Sequence, residues 1–307
     1  MGSGIRGANP TRYGTLSHPG DQYAFDMYSQ IAAAIRSPGQ IPVLGSSQAR
    51  RVVAAGESQS AAFLTTYINA IQPIANTFDG FFVHSRGGGA VGVDGNVDFR
   101  GSSMNGDPLR IDLDVPVMVF ETETDVGPLR YATARQNDTD LLRAWEVAGA
   151  SHVDAYLLNG ASFPGCAANI NNGPQHYVAT AAMAALLRWI DDGTAPPHSD
   201  RIQTTGTDGT TIARDAHGNA LGGIRTPSVD VPVTTLSGVA AAGTPTLCAL
   251  FGSSTPFDHA TLTSLYPTQQ AYLDAFDKAL DQAISLGFVR AADRDEFAAE
   301  ARAVSFS

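Results

Sequence analysis

The chain has 307 residues, 43% of them hydrophobic and 16% charged, which is enough for one large or two modest globular domains. Its 19 basic and 30 acidic residues give a formal net charge of −11, which disfavours a nucleic acid partner because phosphate binding needs a surplus of cations. No apolar run approaches the ~20 residues that span a bilayer. The start, Met1-Gly2-Ser3-Gly4, lacks a signal-peptide pattern, and we interpret it as a clipped or tagged beginning.

The first half of the chain alternates short apolar runs with helical patterns. Residues 1–20 carry several prolines and glycines and are predicted to be irregular. Apolar positions at helical spacing predict helices over 23–35 and 61–70. The predicted buried strands lie at 52–55, 80–84, 115–120 and 144–147. Because strands that alternate with helices pair in parallel, the pattern predicts an α/β fold with a parallel sheet.

The pattern changes after residue 155. The predicted elements are then a helix over 175–191, an irregular β excursion over 201–247 with a hairpin turn at 215–219, and helices through 272–284 and 297–301. We therefore divide the chain into an α/β core over 1–200 and an excursion with a helical tail over 201–307, packed on the same domain.

A serine stands where the first buried strand turns into a helix. In Gly56-Glu57-Ser58-Gln59-Ser60, small residues flank Ser58 two positions away on each side, as a close strand-to-helix turn requires. Such a turn lifts the serine hydroxyl above the sheet, where it acts as a nucleophile, and directs the Gln59 N–H at a developing oxyanion. The alternative is that Ser58 merely caps the following helix.

A serine nucleophile needs a base and an orienting acid from later strand ends of the same sheet. Asp125 follows the third predicted strand and His152 follows the fourth, so both are expected at the edge where Ser58 lies. Glu123 is the alternative acid, or a hydrogen-bond acceptor that supports the site. His176 is the competing base, although its place at the start of a helix favours capping or packing.

Short motifs spread over nearly the whole chain are shared with one enzyme superfamily. They are Arg12-Tyr13-Gly14, Ser17-His18-Pro19-Gly20-Asp21, Gly56-Glu57-Ser58-Gln59-Ser60-Ala61, Asp79-Gly80-Phe81, His84-Ser85-Arg86, Glu121-Thr122-Glu123-Thr124-Asp125 and Gly222-Gly223-Ile224-Arg225-Thr226-Pro227. With these motifs the sequence resembles the α/β-hydrolases, and closely the group called alpha/beta hydrolase domain proteins. The order Ser58, Asp125, His152 is the superfamily's order of nucleophile, acid and base, and the acid usually stands nine positions after the proline that opens its strand, here Pro116.

The resemblance implies a serine esterase that cleaves a small-molecule carboxylic ester through an acyl-enzyme, with no metal and no organic cofactor. Amidases, thioesterases and acyltransferases of this fold use the same three residues. The rival interpretations are a serine peptidase and a truncated hydrolase fold that serves as a non-catalytic or partner-dependent binding module.

Several features bear on the surroundings of the site. His84 and Arg86 follow the second predicted strand and are candidates for the substrate pocket, although a structural ion pair fits Arg86 better. Cys166 and Cys248 are either one disulfide, which would indicate an oxidising, extracytoplasmic compartment, or two buried thiols. The candidate lid segments are 87–112, 153–174 and 195–250.

The front of the sheet is the main departure from the superfamily. Its members place several strands ahead of the nucleophile strand, whereas only 50 residues precede Arg51, room for at most one βα unit. We therefore expect an N-terminally incomplete sheet whose first strand is an open edge. Unpaired backbone groups on such an edge favour pairing with a partner chain or a second copy.

Overall fold

The computed structural model describes residues 4–37, 43–94, 106–161, 163–166 and 169–306. Its central sheet consists of parallel strands that lie side by side in chain order. They are β1 (Val53–Glu57), β2 (Gly80–His84), β3 (Val117–Thr122) and β4 (Leu142–Val147). Every residue of β3 and β4 is buried, as expected where helices cover both faces of a parallel sheet. The predicted α/β class is confirmed.

Helices and short hairpins surround this sheet. The helices are α1 (Gly4–Ala8), α2 (Pro10–Tyr13), α3 (Ala24–Arg36), α4 (Gln59–Thr66), α5 (Gln72–Ala75), α6 (Glu123–Val126), α7 (Ala155–Leu158), α8 (Gln175–Asp192), α9 (Pro227–Asp230), α10 (His259–Leu265), α11 (Gln269–Ser285) and α12 (Arg294–Arg302). A π-helical turn (Tyr67–Ile71) joins α4 to α5, and 3₁₀ turns occupy Asp21–Tyr23, Tyr131–Ala134, Cys248–Phe251 and Ala291–Asp293. The remaining strands are β5 (Thr204–Thr205), β6 (Thr211–Ile212), β7 (Thr234–Ser237) and β8 (Ser253–Pro256).

Alternating side chains of the strands supply two separate cores. On one face, Phe81 of β2 joins Leu64 of α4 in a buried cluster. On the other face, Met118 of β3 joins Leu186 and Val178 of α8. The sheet is thus held between α4 and α8, which fixes the edge formed by the carboxyl ends of its strands.

The prediction that residues 1–20 are irregular is wrong over 4–13, where α1 and α2 form, whereas residues 14–20 contain no helix or strand. Neither helix buries a residue, so neither shows the apolar periodicity by which a helix is recognised. Instead, a side-chain cap starts α2, where the Asn9 carboxamide oxygen accepts a hydrogen bond from the Arg12 N–H at 3.1 Å. The predicted helix after this segment appears as α3, whose Phe25 stacks on Phe63 with 4.2 Å between ring centroids.

Strand β1 pairs with β2 alone within the described ranges. Among the described residues ahead of Val53 there is no strand. On the α8 side of β1, the side chains of Ala55 and Glu57 are exposed. Whether a partner chain or a second copy binds this edge stays a prediction.

The predicted β excursion is present and continues to Pro256, with two hairpins that are separate from the four-stranded sheet. Hairpins β5–β6 and β7–β8 are antiparallel, and the predicted turn at 215–219 closes with the Asp215 N–H donating to the Asn219 carbonyl oxygen at 2.8 Å. Ile224 bridges Val147 in parallel at the outer edge of β4. The candidate lid segments lie partly outside the described residues, at 95–105, 162 and 167–168.

The helical tail packs against the same core. Tyr177 of α8 stacks on Phe297 of α12 with 4.1 Å between ring centroids, and its hydroxyl donates to the Glu300 carboxylate at 2.6 Å. The division at residue 200 into a core and an excursion with its tail stays a prediction.

Candidate active site

Ser58 occupies a strained turn between β1 and α4. Its φ of 58° and ψ of −120° are rare for a residue with a side chain, and a conformation of this kind costs of order 1–3 kcal/mol. The Ser58 N–H donates to the His84 carbonyl oxygen at 3.0 Å, which ties the turn to the neighbouring strand. Its hydroxyl makes no capping hydrogen bond to α4. The side chain is therefore directed away from the helix that it precedes.

Three predicted site residues come together in a hydrogen-bonded row. His152 Nε2 lies 2.8 Å from Ser58 Oγ, and His152 Nδ1 lies 2.6 Å from Asp125 Oδ1. Asp125 and His152 are buried, and Ser58 is half-buried at the mouth of the row. The arrangement allows a proton to pass from the serine hydroxyl to an imidazole whose orientation the carboxylate fixes.

Burial and charge act in opposite directions on this row. Burial raises the pKa of the Asp125 carboxyl, but His152 and the hydrogen bonds from Thr122 outweigh it, so that pKa lies below its ordinary value. Burial lowers the pKa of the His152 imidazole, but Asp125 and, to a smaller extent, Glu57 outweigh it and raise that pKa above its ordinary value. The carboxylate is thus ionised and ready to stabilise a protonated imidazole.

Two threonines that were not among the predicted site residues hold Asp125 and His152 in place. Both the N–H and the hydroxyl of Thr122 donate to Asp125 Oδ2 at 2.6 Å. The Thr124 hydroxyl accepts the His152 N–H at 3.0 Å and donates to the Gly238 carbonyl oxygen at 2.6 Å. The Thr122-x-x-Asp125 spacing is that of a capping box, so the first of these roles was readable from the sequence.

Glu123, the alternative acid, does not reach His152. Its Oε1 accepts the Gly149 N–H at 2.6 Å, and its Oε2 accepts the Gly238 N–H at 3.1 Å and the Arg214 guanidinium at 3.0 Å. The carboxyl group is fully buried, and burial raises its pKa despite these donors. It links the loop that leads to His152 with the β excursion.

The two pocket candidates have different surroundings. Arg86 is buried, and its guanidinium donates to the backbone carbonyl oxygens of Gly87 and Asp107. These hydrogen bonds lie within the protein and indicate a structural role. Its backbone N–H donates to the buried Glu121 carboxyl at 3.3 Å, and burial raises the pKa of Glu121 well above its ordinary value. His84 instead lies at the end of β2 beside Ser58, partly exposed.

The competing base and the predicted oxyanion donor have different surroundings. His176 stacks on Tyr156 with 3.8 Å between ring centroids, and within the described residues neither ring nitrogen has a hydrogen-bond partner. The N–H of Gln59, the first residue of α4, donates no hydrogen bond to the described chain. This donor is available at the turn that holds Ser58.

Cys166 and Cys248 form a disulfide, with 5.3 Å between their Cα atoms. Close to this link, the Val153 N–H donates to the Leu250 carbonyl oxygen at 3.0 Å, and the Asn171 N–H to that of Phe251 at 3.0 Å. The segment that follows His152 is thus attached to the β excursion.

Within the ranges that the structure describes, no group of three or more His, Cys, Asp or Glu side chains is arranged to hold a metal ion. In the same ranges, no helix combines the length and apolar character needed to cross a membrane.

Comparison with known proteins gives one family. The chain shows no significant match to curated proteins or to solved structures. The model of the alpha/beta hydrolase domain family matches residues 2–299, nearly the full length, and the parallel sheet between helices agrees with that fold. The chain belongs to the alpha/beta hydrolase domain family.

Proposed function

We propose that this hydrolase cleaves carboxylic esters through an acyl-enzyme, with Ser58 as nucleophile, His152 as base and Asp125 as the orienting acid. The observation that carries the proposal is the continuous hydrogen-bonded row from Ser58 Oγ through both ring nitrogens of His152 to Asp125 Oδ1. A helix-capping serine would bond to its own helix, and Ser58 does not.

In the first half of the reaction Ser58 Oγ attacks the acyl carbon while His152 Nε2 takes the hydroxyl proton. The carbonyl oxygen becomes an oxyanion that accepts a hydrogen bond from the Gln59 N–H, and the positive end of α4 adds to its stabilisation. When the carbon–oxygen bond to the alcohol breaks, His152 Nε2 returns the proton to the leaving oxygen. Asp125 stabilises the imidazolium in between.

In the second half a water molecule replaces the alcohol. His152 Nε2 takes one proton from the water as its oxygen attacks the acyl carbon, and returns that proton to Ser58 Oγ when the acyl bond breaks. The products are a carboxylic acid and the free serine.

Hydrolysis of p-nitrophenyl butyrate tests this proposal. Ser58→Ala is expected to lower kcat by at least ~10³-fold, because the nucleophile is lost. Ser60→Ala is the matched control, since Ser60 is an exposed serine two residues further along, in the first turn of α4. A serine-directed fluorophosphonate should label the wild-type chain and the control, and leave Ser58→Ala unlabelled.

The open edge of β1 favours a second candidate, a binding or assembly module. Within the described residues this strand has one neighbour, and the Gln59 N–H is the one oxyanion donor that the proposal names. A folded chain that neither turns over the ester nor takes the label would favour the module over the esterase.

A further inference from the structure

We propose that Glu57 and His84 form a subsite for the alcohol portion of the substrate. This subsite selects esters whose alcohol carries a hydroxyl group on the second carbon from the ester oxygen, as in a 2-hydroxyethyl ester. This inference rests on the esterase function proposed above and names its substrate class.

The first argument is the position of Glu57 relative to the base. Glu57 Oε1 lies 3.5 Å from His152 Nε2, the same nitrogen that contacts Ser58 Oγ. In the proposed reaction that nitrogen returns a proton to the leaving oxygen, so the leaving alcohol must come within hydrogen-bond distance of it. The substituent nearest the leaving oxygen therefore lies within reach of the Glu57 carboxylate.

The carboxylate is free to bind a ligand. The Glu57 side chain is 46% exposed, and no described residue other than His152 is paired with it. A substrate donor would therefore meet an acceptor whose hydrogen-bonding capacity is largely unused.

His84 lies beside Glu57 on the same side of the sheet. The two residues are paired in the register of β1 and β2, and paired residues of neighbouring parallel strands point to the same face. The amide nitrogen of Gln175 lies 3.3 Å from His84 Nε2. Because an amide nitrogen only donates, this ring nitrogen accepts, and the proton of a neutral ring is on Nδ1.

The neutral form of His84 is the dominant one. Burial lowers the pKa of this imidazole to about 4. Gln175 contacts Nε2, and Nδ1 makes no hydrogen bond to a described residue, so the register pair leaves an acceptor on Glu57 and a donor on His84 for a substrate.

This pair of groups matches a hydroxyl better than other polar substituents. A hydroxyl can donate to Glu57 and accept from His84 at the same time. An alkylammonium group offers no acceptor to His84, an anionic group meets the Glu57 charge, and an alkyl group leaves the carboxylate without a partner.

Matched esters test the proposal. 2-Hydroxyethyl butyrate and propyl butyrate share their acyl group and nearly their size. The wild-type chain is expected to prefer the hydroxy ester by roughly tenfold in kcat/KM, because a hydrogen bond to a charged group distinguishes them. Glu57→Met and His84→Phe are each expected to reduce this ratio to less than about threefold. Taking the ratio within one variant cancels any change in folding or in the triad.

Asp140→Asn is the matched control for loss of a negative charge. Asp140 is exposed just before β4, at the opposite end of the sheet, and its substitution should leave the ratio unchanged. Glycerol 1-monobutyrate and 3-O-butyrylglucose should also be cleaved faster than propyl butyrate. The one that is cleaved faster identifies the polyol that the subsite admits.

Two results would overturn the subsite. One is an unchanged ratio in both variants while p-nitrophenyl butyrate is still hydrolysed in a Ser58-dependent way. The other is a preference for the 2-trimethylammonioethyl ester over the hydroxy ester. Glu57 would then bind the substrate through its negative charge alone, and His84 would have no role in the subsite. If the folded wild-type chain hydrolyses none of these esters, the proposed function itself is refuted.

Discussion

At the scale of single residues, two carboxylates on one short turn have acquired different surroundings. Asp125 accepts hydrogen bonds from Thr122 and contacts His152, whereas Glu123 accepts two backbone N–H groups and the Arg214 guanidinium. The two residues are two positions apart in α6, so their side chains leave the helix on opposite sides, Asp125 towards His152 and Glu123 towards the β excursion. Their substitutions should therefore affect different properties.

We expect Asp125→Asn to lower kcat for p-nitrophenyl butyrate by ~10³- to 10⁴-fold, because the amide no longer fixes the imidazole tautomer. Glu123→Gln should keep most of the activity of the folded chain but lower the free energy of unfolding by about 2–4 kcal/mol, since it breaks an ion pair between a buried carboxylate and a partly exposed guanidinium. Urea unfolding and steady-state kinetics on both variants check this. A larger loss of kcat in Glu123→Gln than in Asp125→Asn would make Glu123 the acid.

The pH profile reports the charges that face His152. Catalysis needs the neutral imidazole, and the raised pKa of His152 places the acidic limb of kcat/KM above the ordinary histidine pKa of about 6.5. Glu57→Gln removes one of the charges that favour the protonated ring, so the limb should move to lower pH. The profile of Asp140→Asn is the reference. A limb that stays in place or moves upward would contradict a contact between Glu57 and the base.

At the scale of elements, the distance between β1 and α4 determines the turn that presents Ser58. A Cβ added to Gly56 would lie 2.5 Å from the Ser60 carbonyl oxygen, closer than real contacts allow. The obstacle is backbone, so no side chain can rotate to relieve it. A residue without a Cβ is therefore required where the strand passes beneath the helix.

Gly56→Ala should accordingly destabilise the fold by about 1–3 kcal/mol through overpacking, and displace α4 enough to lower kcat. The comparison variant is Gly160→Ala, where an added Cβ meets no atom within 4 Å and only the positive φ of 77° has a cost, about 1 kcal/mol. Thermal unfolding and ester hydrolysis distinguish them, because kcat should fall in Gly56→Ala alone. Equal kcat values in the two variants would refute the steric explanation.

The elements of the core were predictable because each carries a local signal. Continuous apolar runs gave β1 to β4 to within about two residues at either end, and helical spacing gave α8 as 175–191 against the observed Gln175–Asp192. The helices α1 and α2 gave no such signal, since nothing in them is buried.

The site was predictable only in part, for the same physical reason. Ser58, Asp125 and His152 follow strand ends, which parallel pairing brings to one edge. The contact of Arg214 with Glu123 joins residues 91 positions apart, and no local pattern in the sequence records it. Distant pairs of this kind depend on how the excursion folds back over the core.

At the scale of the whole molecule, contacts with the β excursion fix the position of His152. Gly238 accepts the Thr124 hydroxyl that also binds the His152 N–H, and an added Cβ on Gly252 would lie 2.8 Å from the Cβ of Ser151. The loop that carries His152 is therefore in close contact with residues about 90 to 100 positions further along the chain. The proposed triad depends on the closed excursion as well as on the sheet.

The disulfide is the covalent part of that closure. Cys166 and Cys248 are separated by 82 positions, and closing a loop of that length in the unfolded chain corresponds to roughly 4 kcal/mol in the chain-entropy model.

The double variant Cys166→Ser, Cys248→Ser should lose a large part of that free energy of unfolding. Because the link lies beside the segment that follows His152, we also expect a lower apparent temperature of inactivation for ester hydrolysis. Ser60→Ala, which keeps both cysteines, is the reference, and alkylation without reductant should leave its two cysteines unmodified because they form the disulfide. Two alkylated cysteines in the native chain, or equal stability with and without them, would show that the excursion is held by its hydrogen bonds alone.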